Sequence, residues 1–377
     1  KALDHLGGQP WPPDRLWPME RLGLCRFLSG DAEQALEHWR KVLAQRPWHT
    51  SLLSQCAAIL DKRHLPLPKG QWPGSACVLL YSFNHGPALD QTLEALSKSD
   101  APFVLALNNG SSDSTSQVLK GWQDRLGTER MAVISLAANV GAPGARNLLM
   151  CDERVTRRDF ALFLDDDALV PPDLVGLLMR AVRHQATAHV WGCRVVDRDD
   201  PWRIQSADLH LRPSPGGDGS FAPFDPEKVM QQPFSLSSLH QRTPDFGGFN
   251  HVRSCVSVTG CCHMFRVSEF QEHGGFDLRF SPTQFDDLER DLRLAVKGRL
   301  ACCQGFLRVK HLKNTGKQNS ISSAQKHSGL ANRYILYSLF TPDELATIRE
   351  MELAQLEQEL QNDLDLLRDM FGERSPQ

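Results

Sequence analysis

The spacing of apolar and polar residues divides this chain into three parts. In residues 1 to about 70 the spacing is helical. Within Gly30 to Leu43, residues Ala32, Ala35, Leu36, Trp39, Val42 and Leu43 share one stripe, and Pro47 closes the run. Helices at about 19–29 and 49–62 are expected to flank it. The stretch 65–74 is rich in Pro and Gly and reads as a linker. Beyond it, short apolar runs at 76–82, 103–108, 131–136, 160–164 and 189–196 predict strands. Between them, helical spacing recurs at about 87–98, 114–126, 143–151 and 172–184. Such alternation implies right-handed crossovers and a mainly parallel sheet.

From about 197 to 250 the pattern dissolves into Pro, Gly, Ser and Asp, including the run Pro213 to Gly219. A loop that long is expected to be functional or mobile. Apolar runs resume at 255–265, followed by a predicted helix at 284–297 and a strand near 302–310. Ser281-Pro282-Thr283-Gln284 reads as a capping box with proline at the first helical position. Gly298 reads as the stop, and Phe285, Leu288, Leu292 and Ala295 as the buried stripe. Residues 343–371 predict a charged amphipathic helix with Leu353, Leu356, Leu360, Leu364 and Leu367, packing on its own chain.

Composition narrows the function classes. The chain has 377 residues, 41% hydrophobic and 23% charged, enough for two domains and a large core. Its net charge of -3 gives no global attraction to nucleic acid or anionic membrane. No apolar run approaches the roughly 20 residues of a membrane span. No secretory signal is visible, so the expected location is cytoplasmic, with the inner membrane face as a peripheral alternative. The first residue is Lys1, so a fragment or processed chain is expected. Ten cysteines are scattered without a CxxC pair and read as buried reduced thiols. The adjacent pairs Cys261-Cys262 and Cys302-Cys303 are not natural chelates, because neighbours in a strand face opposite ways.

Candidate chemistry concentrates at Asp165-Asp166-Asp167, which closes the apolar run Phe160 to Leu164. Carboxylates that close repel, and a divalent cation would offset them. In open α/β sheets ligands sit beyond the carboxyl ends of strands, where this cluster falls. The alternative is a solvated acidic turn opening the helix after Pro171-Pro172-Asp173.

Several motifs in order then resemble glycosyltransferase family 2 and its GT-A fold, over residues 75 to 315. Leu80-Tyr81-Ser82-Phe83-Asn84 resembles the family's first strand end. Leu107-Asn108-Asn109-Gly110-Ser111-Ser112-Asp113-Ser114-Thr115 resembles Asp-Asn-Gly-Ser-x-Asp-x-Thr. Asn139 to Asn147, with Gly141 and Arg146, resembles Asn-x-Gly-x-x-x-Ala-Arg-Asn. The acidic triplet matches the DxD metal motif. Gly274-Gly275-Phe276-Asp277 followed by Asp286-Asp287 resembles the family's Gly-Gly-Phe-Asp and Glu-Asp pair, and His311 its late histidine. The small residues, Trp39 and Pro47 of the N-terminal run resemble a tetratricopeptide repeat.

The resemblance implies an α/β chain with a GT-A domain at 71–335, a small helical region at 1–70 and a C-terminal helical extension at 336–377. It implies an inverting, hexosyltransferase-type enzyme that moves a sugar from a nucleotide-diphosphate donor to an acceptor hydroxyl. Ser82, Asn84, Asn108, Asp113 and Gly141 would cradle the nucleoside, with Asp165 and Asp166 toward the ribose and Arg146 on the diphosphate. Asp167 and His311 would hold Mn2+ or Mg2+. Asp287 would act as general base, with Asp286 its neighbour. Each residue also has a plain structural reading: local capping for Asp113, a surface ion pair for Arg146, favourable helix-dipole placement for Asp286 and Asp287. Asn108 is an amide where the family usually has an acid, which puts a uracil preference in doubt. Acceptors could be a glycan, a lipid-linked intermediate or a protein, and the N-terminal helices could hold a protein partner. The competing function is a nucleotide-sugar-binding scaffold without turnover. A dehydrogenase is weaker still, because no GxGxxG follows the first strand.

Overall fold

The computed structural model describes residues 16–214, 219–228, 231–237, 240–312 and 323–371. The first fifteen residues of the expected helical region, part of the Pro213–Gly219 run, the Gly-Ser stretch after His311 and the last six residues lie outside them. Among the described residues no helix is long and apolar enough to cross a membrane.

Three helices open the chain: α1 (Leu16–Leu28), α2 (Ala32–Leu43) and α3 (Thr50–Leu60). Asp31 caps α2, its side chain accepting from Gln34 N. The alternating segment follows: β1 (Ala76–Ser82), α4 (Gly86–Ser97), β2 (Val104–Asn108), α5 (Thr115–Leu126), β3 (Met131–Ser135), α6 (Gly141–Met150), α7 (Glu153–Thr156), β4 (Phe160–Leu164), β5 (Ala168–Leu169), α8 (Leu174–His184) and β6 (Val190–Asp197). Beyond it lie the short β7 (Ile204–Ser206), β8 (Leu211–Pro213) and β9 (Phe234–Leu236), then β10 (Val252–Cys255), β11 (Cys262–Arg266), α9 (Val267–His273), α10 (Asp286–Ala295) and β12 (Ala301–His311). Helices α11 (Ser323–Tyr337) and α12 (Pro342–Phe371) end the described chain.

The main sheet runs β10-β12-β6-β11-β4-β1-β2-β3, with β5 added beside β12 and β7 beside β6. The β4-β1-β2-β3 ladder is parallel, and β12 is parallel to β6. Strand β11 runs antiparallel between β4 and β6. Strand β4 is buried along its whole length because both faces are covered. Its Leu162 and Leu164, with Val78 and Leu80, pack under α4 and α8, while Phe163 packs with Leu79, Leu107, Leu149 and Phe276 on the other face. The parallel strands therefore end on one edge, where β11 begins.

The N-terminal helices bury their apolar face against the chain itself. Their core of Leu16, Trp39, Leu43, Leu53 and Cys56 includes Leu367 of α12, with Phe306 of β12 packed against it. Buried Arg63 pairs with Asp363 of α12 at 2.8 Å. Helix α12 docks through acids as much as leucines: Glu352 binds His210 and Leu211 N, and Glu359 accepts from Ser254 N and Oγ. Leu353 and Leu364 remain exposed.

Candidate active site

Two ladders set the acidic triplet in place. Leu164 pairs with Cys262 across the antiparallel β4–β11 ladder, and one step further Asp165 N donates to Cys261 O at 2.9 Å. The chain then turns, and β5 pairs with the end of β12, bringing Ala168 opposite His311. Leu312 N closes the turn on Asp167 O at 3.1 Å. His311 Nε2 consequently lies 3.0 Å from Asp167 Oδ1 and 3.5 Å from Asp165 Oδ2. Asp166 points the other way, its Oδ1 3.0 Å from His85 Nδ1.

The charges adjust to this packing. Burial disfavours the His311 cation, but the hydrogen-bonding carboxylates of Asp165 and Asp167 outweigh it and raise the imidazole to about 9. Burial lifts the Asp166 carboxyl above its usual range, with His85 pulling against it. His85 in turn is raised by its hydrogen bond to Asp166.

The facing wall is the start of α10, and here the sequence reading needs correction. Ser281 to Gln284 is not a capping box. Pro282 O accepts from Ala142 N at 2.7 Å, so this segment crosses the open N-terminus of α6 instead of beginning a helix. Gln284 and Phe285 then adopt positive φ, 83° and 70°, and the helix starts at Asp286. Of the predicted stripe, Leu288, Leu292 and Ala295 are buried and Phe285 is half-buried, yet Glu289, Arg290 and Asp291 are buried too.

Asp286 and Asp287 occupy the first turn of α10. Asp286 Oδ2 meets buried Arg146 Nη1 at 2.5 Å. Burial raises the Asp286 carboxyl, Arg146 lowers it and Asp287 raises it again, with a net upward shift. Burial opposes the Arg146 charge, but Asp286 holds it above its ordinary range. Its guanidinium also lies 5.2 Å from the Phe276 ring and 5.6 Å from the Tyr81 ring. Asp287 is oriented by two backbone donors, Gly260 N at 2.7 Å and Leu288 N at 2.9 Å. Gly260 leaves no space for a Cβ, which would stand 2.7 Å from Asp287 Oδ2 and 2.9 Å from Arg146 Nη2.

Between the walls lies a hollow of about 270 Å³. Asp165, Asp166, Asp167 and His311 line one side and Arg146, Asp286 and Asp287 the other, with Tyr81, His85, Thr259 to Cys261, Thr283 and Gln284 completing it. The remaining candidates do not line it. They lie around the ends of β1 and β2 and the starts of α5 and α6, bonded to neighbouring loop and helix-start residues. Asn84 Oδ1 accepts from Ser112 N at 2.8 Å, and buried Ser82 accepts from Asn109 N through its carbonyl. Asn108 accepts from Ser111 N at 3.0 Å and donates to Ser116 Oγ at 2.6 Å. Asp113 accepts from Gly86 N, Thr115 N and Thr115 Oγ1, tying together the starts of α4 and α5. Gly141, at φ 79°, donates to Asn139 Oδ1.

Sequence reasoning missed Tyr81, His85, Cys261, Thr283 and Gln284 in the lining, and Gln205 behind His311. His85 directly follows Asn84 at a strand end, so a titratable group at the sheet edge was there to be found. Gln205 sits in a three-residue strand that leaves no periodic trace.

The donor set fits a divalent cation. Gln205 Nε2 donates to Asp197 Oδ1 at 2.6 Å and to His311 O at 3.3 Å, so its Oε1 faces His311 Nδ1, 2.9 Å away. That bond places the proton on Nδ1 of the neutral ring. Nε2 faces the carboxylates of Asp167 and Asp165, which hold its proton in the absence of a cation and would share its lone pair with one in its presence. A cation between them would satisfy all three groups.

Comparisons with known proteins give the family and the fold. The family model described as Glycosyl transferase family 2 matches residues 77–272, slightly more than half of the chain. No curated protein sequence matches. One similar solved structure is the mannosyltransferase PcManGT from Pyrobaculum calidifontis in complex with GDP-Man and Mn2+. It is 16% identical, covering 90% of this chain and 88% of that one, with a TM-score of 0.49. Another is GalNAc-T7 with UDP, GalNAc and Mn2+, 12% identical with a TM-score of 0.51. That match covers 79% of this chain and spans 58% of the other, and it is a likeness of fold. The chain belongs to glycosyl transferase family 2 and is a glycosyltransferase with the GT-A fold.

Proposed function

We propose that the chain transfers a hexose from a nucleotide-diphosphate donor to an acceptor hydroxyl with inversion at the anomeric carbon. One observation carries the reading: the Asp165–Asp167–His311 cluster and the Asp286–Asp287–Arg146 cluster face each other across a single hollow. Asp167 and His311 would hold Mn2+ or Mg2+ as a DxD-type site, with Asp165 toward the ribose. When bound, the cation supplies neutralisation of the diphosphate leaving group. Ser82, Asn84, Asn108, Asp113 and Gly141 form the adjoining nucleoside rim, with Asp166 held by His85 between the rim and the hollow.

Asp287 takes the proton from the acceptor hydroxyl, its carboxylate aimed by Gly260 N and Leu288 N. Arg146 is fixed by Asp286 beside that carboxylate and leaves a positive edge toward the diphosphate. Direct displacement needs one base and no carboxylate nucleophile. The functional unit in this reading is 71–335, with 1–70 and 336–377 as additions that pack through α1 to α3 and α12. The acceptor is a glycan, a lipid-linked intermediate or a protein.

The test begins with a thermal-shift screen of nucleotide sugars with and without Mn2+, since a bound donor raises apparent stability by mass action. Asp287→Asn should then keep the donor shift and lose turnover by about 10²–10⁴-fold, the range of general-base contributions. A variant that turns over at the wild-type rate, or no donor shift in Mn2+, ends the proposal.

A further inference from the structure

Sulfur stands in the proposed cation site. The β4–β11 ladder sets Asp165 directly across from Cys261, and residues opposite each other in an antiparallel pair project to the same face. Both cysteines are buried in the same core, but the alternation that keeps them from acting as a pair lets only Cys261 of the two line the hollow. A carboxylate oxygen of Asp165, the Cys261 sulfur and a ring nitrogen of His311 all lie within 4.8 Å of one another. Ligands bound at about 2.0–2.3 Å on different sides of one ion are separated by distances of this order. A second observation is independent of the cysteine. The His311 side chain is 8% exposed, and its Nε2, 3.0 Å from Asp167 Oδ1 and 3.5 Å from Asp165 Oδ2, is aimed into the same space.

We infer that the cation site carries a mixed oxygen, nitrogen and sulfur donor set, with Cys261 as a ligand, and therefore favours borderline cations such as Zn2+ and Co2+ over Mg2+. The inference rests on the reading of the hollow as a cation site. An oxygen-only site suits Mg2+ or Mn2+; adding a thiolate shifts preference toward softer ions. The chemistry balances simply. The S–H bond breaks, its electron pair stays on sulfur and forms the bond to the cation, and the proton passes to buffer. Burial resists this ionisation without a cation, since it pushes the thiol well above its ordinary range and nearby Asp165 adds to the shift. A proton is therefore expected to leave when the ion arrives.

The experiment titrates the full chain, stripped with chelator, with Co2+ and reads the near-ultraviolet thiolate-to-Co2+ charge-transfer band. Parallel titrations give Kd for Zn2+ and Mn2+. The expected result is a band that saturates at one equivalent and disappears in both Cys261→Ser and His311→Ala. The serine variant should raise Kd for Zn2+ at least about tenfold relative to Kd for Mn2+. If Co2+ binds and His311→Ala abolishes binding, but no thiolate band forms, Cys261 is not a ligand and the cation site itself stands. A band that survives His311→Ala arises from another cysteine and overturns the inference. If neither Co2+ nor Mn2+ binds the wild type, the reading of the hollow falls with it. Should Cys261→Ser fail to fold, the wild-type band and its loss in His311→Ala still decide the matter.

Discussion

Two histidines in this protein each sit between two carboxylates, and each is raised to about 9 against the effect of burial. They do different things. His210 uses both ring nitrogens, Nε2 on Asp208 and Nδ1 on Glu352, each at 3.0 Å. Its carboxylates have further partners: Arg253 lies 2.9 Å from Asp208, and Leu211 N donates to Glu352. The cluster is closed, and it fastens α12 to the irregular region. His311 has one nitrogen held by a neutral amide and both carboxylates crowded on the other. Residue types and pKa direction do not separate the two clusters. The direction of the remaining lone pairs does, since only around His311 do they converge on open space.

The most disruptive way to test this contrast is to open the closed cluster. His210→Gln leaves one carboxylate without its partner. Breaking a buried pair costs about 3–5 kcal/mol, and the histidine side chain is 25% exposed, so a loss of about 2–3 kcal/mol is expected. The pH dependence follows from linkage. The folded-state pKa is above the unfolded one, so the stabilisation is complete below about 6.5 and is lost as pH rises through about 9. Urea melts at about pH 6 and about pH 10 should therefore show the variant's deficit at the lower pH and little at the higher. Asp208, Glu352, His251 and Arg253 face this imidazole, and none lines the hollow, so Mn2+ affinity should be unchanged. A fall in Mn2+ affinity would make the two clusters one system.

The open cluster has its own lever. Gln205→Ala removes the acceptor that fixes the His311 ring while leaving Asp165, Asp167 and His311 in place. Loss of such an outer partner typically weakens metal binding 10–100-fold, and that rise in Kd for Mn2+ is expected here by calorimetric titration. If Gln205 only supports packing, chelator-treated protein will melt earlier but Kd for Mn2+ will not move.

The two clusters also show how much the sequence could tell. The all-apolar strand Phe160 to Leu164 and the three acids after it marked a strand of the sheet and its acidic end. The β-α alternation from Ala76 to Asp197 likewise read true, because long buried strands leave continuous runs. Ladders of two or three residues leave none. The β5–β12 pairing that delivers His311 to Asp167 was visible only through a family resemblance, and Gln205 was not visible at all. The start of α10 was misread for a different reason. Pro282 has the local chemistry of a helix start, but its carbonyl is taken by Ala142 from a segment 140 residues away in sequence. His210 meets Glu352 across a similar separation, and no local pattern encodes that contact.

The gentlest test falls on the strand-end group of β1 and β2, which resembles the His210 cluster in being closed. Asn108→Asp changes one atom. The retained oxygen still accepts from Ser111 N. The new oxygen faces Ser116 Oγ, whose hydroxyl can rotate from accepting to donating. The site is buried, which penalises a charge, but it lies beside the N-terminal turn of α5, where a carboxylate is favoured. These terms oppose each other, so the net stability change should stay within about 1 kcal/mol. The informative readout is the ratio of Kd for UDP to Kd for GDP in Mn2+. An acid at this position should move the ratio toward UDP by up to about tenfold, or about 1.4 kcal/mol. A ratio that does not change would place Asn108 with the closed clusters, as a brace between β2 and α5, and would move base recognition to the rim around Asn84 and His85.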